Sequence, residues 1–170
     1  MLVIITKGRD CDFIEAHRHD GSIAKTTFPK KGWFPHDAIH LVVESELQYE
    51  TGFWGRVFSG TSPEEVAALA IAGGHRSSSR AEIPSEEIVE LIQAERIVEC
   101  FEADMWSEPS DLATFLEVLD AACSQSKVKS PNLSEQNIRN IREELSGLFT
   151  RWRALPIGQT LELSWLQVCC

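Results

Sequence analysis

The chain has 170 residues, and its 26 acidic residues outnumber its 16 lysines and arginines, which gives a formal net charge of −10. A hydrophobic fraction of 43% and a charged fraction of 25% are typical of a globular protein with a core. No apolar run approaches the roughly 20 residues that a membrane-spanning helix needs, and the first residues lack the apolar region of a secretory signal. We therefore expect a cytoplasmic protein with no membrane partner, folded as a single domain over residues 1–170.

The acidic balance also argues against nucleic acid as a partner, because an acidic surface repels the phosphate backbone. The densest group of basic residues lies near the C-terminus, where neighbouring glutamates reduce its positive charge. It consists of Arg139, Arg142, Arg151 and Arg153.

The cysteines are odd in number and form no C-x-x-C motif; they are Cys11, Cys100, Cys123, Cys169 and Cys170. This usage predicts reduced thiols rather than a disulfide framework.

Residues 1–30 have the alternating pattern of a three-stranded antiparallel meander. The apolar run Leu2–Thr6 is the first strand, and the segments Phe13–His19 and Ser22–Phe28 flank Asp20 and Gly21. Asp-Gly between two strands is typical of a two-residue hairpin turn, whose central positions both need positive φ. Such a turn sets these residues opposite each other: His19 and Ser22, His17 and Ala24, and Phe13 and Phe28.

From Pro35 onward the apolar residues recur at helical spacing. Pro35 suits the start of the first helix, and "TGFWGRVFSG" (Thr51–Gly60) predicts a short buried helical segment between glycines. The next segment has all the signals of a helix, namely a cap, a first-turn proline, a capping-box acid and a glycine stop. These residues are Ser62, Pro63, Glu65 and the pair Gly73-Gly74.

Three longer helices are predicted after a polar loop. They begin after Ser85, near Ser110 and at a cap on Ser134, and the last ends before Pro156. The closing segment "QTLELSW" (Gln159–Trp165) alternates strictly between apolar and polar residues, which predicts a half-buried strand.

This order of elements predicts an α+β fold. The N-terminal three-strand meander and the C-terminal strand would form one small antiparallel sheet, packed against about five helices. A lone closing strand must satisfy its backbone groups, so we expect it to pair with the free edge of Leu2–Thr6.

The stretch "PHDAIHLVVE" (Pro35–Glu44) is the strongest candidate for a functional site. Residues four apart on a helix project to the same side about 6 Å apart along the axis, so His36 and His40 can chelate one divalent metal ion such as zinc. Glu44 lies about 12 Å from His36, too far to join both histidines, and is expected to pair with His40 and orient its ring. Asp37 is, with Glu44, a candidate to support these ligands without contacting the ion, but it is too short to serve as the general base of a zinc protease.

Further ligands have to come from elsewhere in the chain. His17 and His19 alternate onto one face of the hairpin strand and are our candidates to complete the metal site, whereas His75 lies in the polar loop. The alternative interpretation needs no ion. In it, Asp37 caps the helix or complements its dipole, and both helix histidines hydrogen-bond to backbone groups at the rim of the core.

Aromatic residues bracket the histidine helix. Trp33 precedes it, and Trp54 and Phe58 follow it, so they could line an apolar pocket between helix and sheet; such residues are equally typical of a core. Trp33 is the one that we expect to be partly exposed, because it follows Lys-Lys-Gly.

The serines and arginines of "RSSSR" (Arg76–Arg80) could bind an anion, although a solvated loop is the simpler interpretation.

The histidine stretch, preceded by a strand hairpin and followed by "GFWG", resembles a group of uncharacterised bacterial proteins. The resemblance ends at the GFWG segment and brings no activity with it. It rests on His36, Asp37, His40, Glu44, Gly52, Phe53, Trp54 and Gly55.

The sequence contains no phosphate-binding loop, nucleophile elbow or complete catalytic triad. The leading hypothesis is therefore a non-catalytic accessory or interaction protein, for which a homodimer is one expectation. The alternative is a divalent-metal protein or metal-dependent hydrolase that uses the His36/His40 helix. A binder of small molecules is the third hypothesis.

Overall fold

The computed structural model describes residues 1–30, 32–73 and 83–165. Within these ranges it confirms the α+β class, with six α-helices where about five were expected. In chain order the elements are β1 (Leu2–Thr6), β2 (Cys11–His17), β3 (Ile23–Pro29), α1 (His36–Leu47), α2 (Phe53–Phe58), α3 (Pro63–Ala72), a 3-10 turn (Glu86–Ile88), α4 (Val89–Trp106), α5 (Leu112–Gln125), α6 (Glu135–Ala154) and β4 (Thr160–Ser164). None of the helices described here combines the length and apolar character needed to cross a membrane.

Several predictions fall outside the described residues. They concern the glycine stop at Gly74, His75, the Arg76–Arg80 segment, Cys169 and Cys170.

The four strands form one antiparallel sheet in the order β3-β2-β1-β4. The predicted pairing of the closing strand with the first is confirmed, with Leu2 opposite Ser164 and Ile5 opposite Leu161. The amine of Lys7, just after β1, donates hydrogen bonds of 2.9 and 2.8 Å to two carbonyls at the C-terminal end of α6. A cation at that end of a helix stabilises the unpaired carbonyls, so this contact ties the sheet to α6.

The predicted register of the β2–β3 hairpin is wrong by one residue. A shift of one residue moves side chains to the opposite face of a strand. As a result Phe28 lies half-buried on the inner face while Phe13 is exposed on the outer face. The observed partners are Phe13 with Thr27, Ala16 with Ala24, and His17 with Ile23.

The error arises because the hairpin loop has three residues rather than two. The Arg18 N–H donates to the Ser22 carbonyl at 2.9 Å, and the Gly21 N–H donates to the Arg18 carbonyl at 3.1 Å. Gly21 has a φ of 85°, whereas Asp20 has no positive φ. This is the three-residue loop in which a turn is followed by a glycine in the left-handed region.

The predicted starts of four helices are confirmed. Ser62 and Ser134 cap α3 and α6, each with a complete capping box. Helix α5 begins at Leu112, close to the predicted start near Ser110, and its cap is Asp111, whose side chain accepts a hydrogen bond from a backbone N–H in the first turn. At α1 the capping position is held by Pro35 without a side-chain hydrogen bond, so Asp37 lies in the first turn but is not the cap.

The inner face of the sheet is mostly apolar, with Asp12 as a buried acid, and the helices cover it. Its buried residues include Val3, Ile5, Ile14, Ala16, Leu161 and Leu163. Helix α1 packs against α2, α4 and α6, and every residue from 38 to 44 is buried. Because neighbouring helices enclose α1, His40 and Glu44 lie inside the protein, where polar groups need partners.

Candidate metal centre

Helices α1 and α4 bring together two imidazoles and a carboxylate. The Nε2 atoms of His36 and His40 are 3.2 Å apart, and both face the side chain of Glu95 on α4. Glu95 Oε2 lies 3.1 Å from His40 Nε2 and 3.6 Å from His36 Nε2. In the described part of the chain, these three residues form a group whose donor atoms are close enough to hold one metal ion.

The spacing of these three atoms matches the coordination shell of a transition metal. A triangle with the three measured sides has a circumscribed radius of about 1.9 Å, and zinc binds histidine nitrogen and carboxylate oxygen at about 2.0–2.2 Å. An ion slightly above the plane of the triangle would therefore reach all three atoms without movement of the helices. Helical spacing sets one side of the triangle, and the packing of α4 on α1 sets the other two.

Carboxylates also hold the opposite nitrogen of each ring. His40 Nδ1 lies 3.1 Å from Glu44 Oε1, and His36 Nδ1 lies 2.8 Å from Glu102 Oε1. The predicted pairing of Glu44 with His40 is thus present. An ionised carboxylate only accepts hydrogen bonds, so both Nδ1 atoms carry the proton in these contacts. In their neutral forms, both Nε2 atoms then direct a lone pair towards the space beside Glu95.

Glu44 is itself held by the start of α2. Its Oε2 accepts a hydrogen bond of 2.7 Å from the backbone N–H of Trp54, in the first turn of that helix, and its side chain is fully buried. Gly52 leaves the space that this carboxylate occupies, since a Cβ at that position would lie 2.5 Å from Oε2. Together with the His40 contact, these interactions fix the position of the Glu44 carboxylate.

The same segment is anchored to α1 at two further points. The indole N–H of Trp54 donates a hydrogen bond of 2.9 Å to the backbone carbonyl of Asp37. A Cβ on Gly55 would come within 2.2 Å of the Tyr49 carbonyl, so glycine permits the close approach of α2 to the preceding turn. The histidine stretch and the GFWG segment therefore form one packed unit.

The metal-free site strongly stabilises positive charge. Burial disfavours the imidazolium of His36, but hydrogen bonds to Glu102 and Glu95 outweigh it and raise the pKa of the ring to about 9. Burial opposes the charge on His40 as well, but hydrogen bonds to Glu44 and Glu95 raise its pKa to about 10. Burial would raise the pKa of Glu95, but its hydrogen bonds to His36 and His40 hold it well below the usual range.

The two hairpin histidines are not part of this group. His17 lies on β2, with Nε2 3.1 Å from Glu15 Oε2. His19 lies in the hairpin loop, where Nε2 is 3.0 Å from the N-terminal amine of Met1 and the ring meets Phe58 edge-on. Because β2 ends at His17, the strand alternation that was expected to align the two rings does not extend to His19.

The three aromatic residues predicted to line a pocket lie in different surroundings. Trp54 is in the core with 1% of its surface exposed, and Phe58 is half-buried beside the Trp165 ring. Trp33 is 71% exposed, which confirms the expectation that it lies at the surface. The structure therefore separates Trp33 from Trp54.

Glu95 and Glu102 are the residues that sequence reasoning missed. The chain contains 26 acidic residues, so the presence of a glutamate carries little information. Their positions on α4 do carry a signal, because they alternate with apolar residues at spacings of four and three: Leu91, Glu95, Val98, Glu102 and Met105. Glutamates on the apolar stripe of a helix are expected to face a neighbouring helix, here the one that carries the histidines.

No protein-family model, curated protein or solved structure matches the chain. The resemblance to a group of bacterial proteins consequently stays a prediction. The function has to be inferred from the geometry and chemistry of the site.

Proposed function

We propose that this protein binds one divalent transition-metal ion through His36 Nε2, His40 Nε2 and Glu95 Oε2, with zinc as the expected metal. The observation that supports the proposal is the meeting of three lone-pair donors at 3.1 to 3.6 Å. Those separations suit ligands that share an ion.

The partners of the two rings favour a metal over a purely structural role. If the two histidines were purely structural, their rings were expected to hydrogen-bond to backbone groups. The ring contacts described above are instead to carboxylates and to the other ring. Metal-binding histidines usually donate a hydrogen bond from the other ring nitrogen to a carboxylate, which sets the tautomer and raises the basicity of the ligand. Glu44, Glu95 and Glu102 place three negative charges around the two rings. Protons on the rings offset two of these charges when no ion is bound, and a divalent ion would take their place.

The donor set favours a particular class of metal. Imidazole nitrogen suits zinc, copper, iron and nickel, whereas calcium and magnesium prefer shells built from oxygen. Two histidines and one carboxylate are found in both catalytic zinc sites and non-haem iron sites. We expect zinc because it accepts the near-tetrahedral arrangement that three donors on two rigid helices impose.

A metal-dependent hydrolase is the second candidate. Three protein ligands leave at least one coordination position for water, as in catalytic zinc sites. Glu44 is a poor general base for such a water, because its oxygens are held by His40 and by the Trp54 N–H. Hydrolysis would therefore need a base from another part of the chain.

The cytoplasmic location remains part of the proposal. Cys11, Cys100 and Cys123 are free thiols, which supports a reducing compartment. A homodimer and the absence of membrane and nucleic-acid partners remain predictions from the sequence.

Elemental analysis tests the proposal directly. Protein prepared without a histidine tag would be stripped with chelator, exposed to zinc and freed of excess metal. We expect about one zinc per chain in the native protein and a large loss in Glu95→Gln, which keeps the side-chain size but removes the anionic ligand.

The matched control is Glu99→Gln, on the same helix but on an exposed part of its surface. This variant should retain zinc, since its carboxylate is not among the proposed ligands. Less than about a tenth of an equivalent of zinc in the native protein, with no difference in Glu95→Gln, would overturn the proposal.

A further inference from the structure

Two exposed tryptophans form a pair at the surface. Trp33 precedes α1 and Trp106 is the last residue of α4, and their exposed fractions are 71% and 62%. The ring centroids are 4.8 Å apart and the ring planes are inclined by 71°, so the edge of one indole meets the face of the other. Large aromatic side chains paired in solvent typically mark a surface used for binding.

The pair stands at the mouth of a cavity of about 220 Å³. Its apolar walls include Phe34, Met105 and Phe149. Of the described residues that line it, Glu102 is the charged one, with 35% of its side chain exposed. Cavities for drug-sized ligands are commonly 300–1,000 Å³, so this one suits a smaller molecule.

We propose that this cavity binds a small organic cation, with an ammonium group that packs on the tryptophan pair and faces the Glu102 carboxylate. The faces of aromatic rings carry negative electrostatic potential and attract cations, most strongly when the ring is tryptophan. Glu102 adds a carboxylate to the same cavity, with one oxygen held by His36. An anion would be repelled by both features and by the net charge of −10.

A neutral apolar ligand fits the cavity less well. It would remove water from the Glu102 carboxylate without supplying a new partner, and burial of a charged group is costly when hydrogen bonds to water are not replaced. The hydrogen bond to His36 uses one oxygen of that carboxylate, Oε1. Cation binding at this cavity does not require a metal at the neighbouring centre, so the two proposals stand or fall separately.

The test compares two ligands of the same shape that differ in charge. Choline and its carbon isostere 3,3-dimethyl-1-butanol would be titrated calorimetrically into the full chain, both with chelator and with one equivalent of zinc. We expect choline to bind about tenfold more tightly than the isostere in both conditions. Equal affinity of the two ligands, or no saturable heat from choline, would overturn the proposal.

Single substitutions test whether choline binds at this cavity. Trp33→Ala and Trp106→Ala remove exposed side chains and should fold normally, yet each should weaken choline binding by about fivefold or more. Glu102→Gln should reduce the preference for choline over the isostere towards unity. Ile157→Ala, which removes an equally exposed apolar side chain elsewhere, and Glu117→Gln, which removes an exposed carboxylate on α5, should leave binding unchanged.

The ammonium group could belong to a free molecule or to a lipid headgroup. Sedimentation with phosphatidylcholine vesicles distinguishes these sources. Co-sedimentation that is lost in Trp33→Ala would assign the headgroup, and choline binding without co-sedimentation would assign a free compound. Choline binding that persists at full strength in both tryptophan variants would place the ligand elsewhere and refute the proposed cavity.

Discussion

The histidine pair on α1 and the histidine pair of the hairpin are built from the same residue type, but only the first becomes a candidate site. On α1 the two Nε2 atoms are 3.2 Å apart and face a common carboxylate. On the hairpin, His17 contacts Glu15, a residue two positions away that also binds Lys25 at 2.6 Å. His19 lies in the loop beside the N-terminal amine.

The difference lies in the surroundings of each ring rather than in the spacing along the chain. Packed helices supply Glu44, Glu95 and Glu102 from three positions around the α1 pair, so each imidazole has a partner on both sides. Among the described residues, the hairpin rings contact Glu15, the N-terminal amine and Phe58, and the carboxylate comes from the same strand. The candidate site therefore depends on the second helix, α4, that encloses the histidine pair of α1.

The largest expected effect follows from removing a ligand. His40→Ala should lower zinc affinity by more than about a hundredfold, since loss of a supporting residue alone commonly costs about 10–100-fold. His17→Ala is the matched control and should bind zinc as the native protein does. Competition with a chromogenic chelator measures both affinities.

His36→Ala provides a second ligand variant at a less buried position, in case His40→Ala folds poorly. If His36→Ala, His17→Ala and the native protein bound zinc with equal affinity, the α1 histidines would be no more involved in metal binding than the hairpin histidines. Circular dichroism of each variant shows whether the fold is retained.

The next effect concerns the residue that orients a ligand. Glu44→Gln should weaken zinc binding by about 10–100-fold, because the amide cannot accept hydrogen bonds from both His40 and the Trp54 N–H through two oxygens. The counterpart on the hairpin is Glu15→Gln, which should leave zinc affinity unchanged. Calorimetric titration with zinc measures the affinity of both variants. Normal zinc binding by Glu44→Gln would contradict the role of Glu44 in orienting His40.

A smaller effect is expected on stability. Gly52→Ala should reduce the free energy of unfolding by about 1–3 kcal/mol, because its Cβ would collide with the Glu44 carboxylate in a packed region. Gly147→Ala is the control, since it lies within α6 and its Cβ meets nothing within 4 Å. That replacement should stabilise the protein by about 0.5–1 kcal/mol. Urea unfolding of both variants tests the sign of each change.

The smallest expected effect is in the hairpin loop. Gly21→Ala should cost about 1 kcal/mol, because residue 21 has a φ of 85° although no atom lies within 4 Å of the added Cβ. Gly32→Ala has similar space but no positive φ, and should change stability by less than about 0.5 kcal/mol. Thermal unfolding that shows no difference between them would argue against the observed loop geometry.

Much of the fold could be predicted because its signals are local. The serine caps of α3 and α6, the helical spacing from Pro35 and the alternation of β4 are each contained in a few residues. The hairpin register could not be settled in this way. Asp-Gly serves both two-residue and three-residue loops, and the choice depends on which face of β3 packs on the helices.

Only the part of the candidate site that lies on a single helix could be predicted from the sequence. The spacing of His36, His40 and Glu44 on one helix is visible in the sequence, and the Glu44 contact follows from it. Glu95 and Glu102 lie more than fifty residues further along the chain, and their approach depends on how α4 packs on α1. The spacing along α4 places both glutamates on its apolar stripe, but it does not identify α1 as the helix that they face.

The pairing of β4 with β1 has a consequence for how the protein folds during synthesis. Strand β1 is made first, yet the partner on its outer edge is made only after all the described helices. Until then the apolar run "LVIIT" presents unpaired backbone groups, a condition that favours association with other chains. Chaperone dependence and aggregation during slow translation should therefore be greatest before residues 160–164 leave the ribosome.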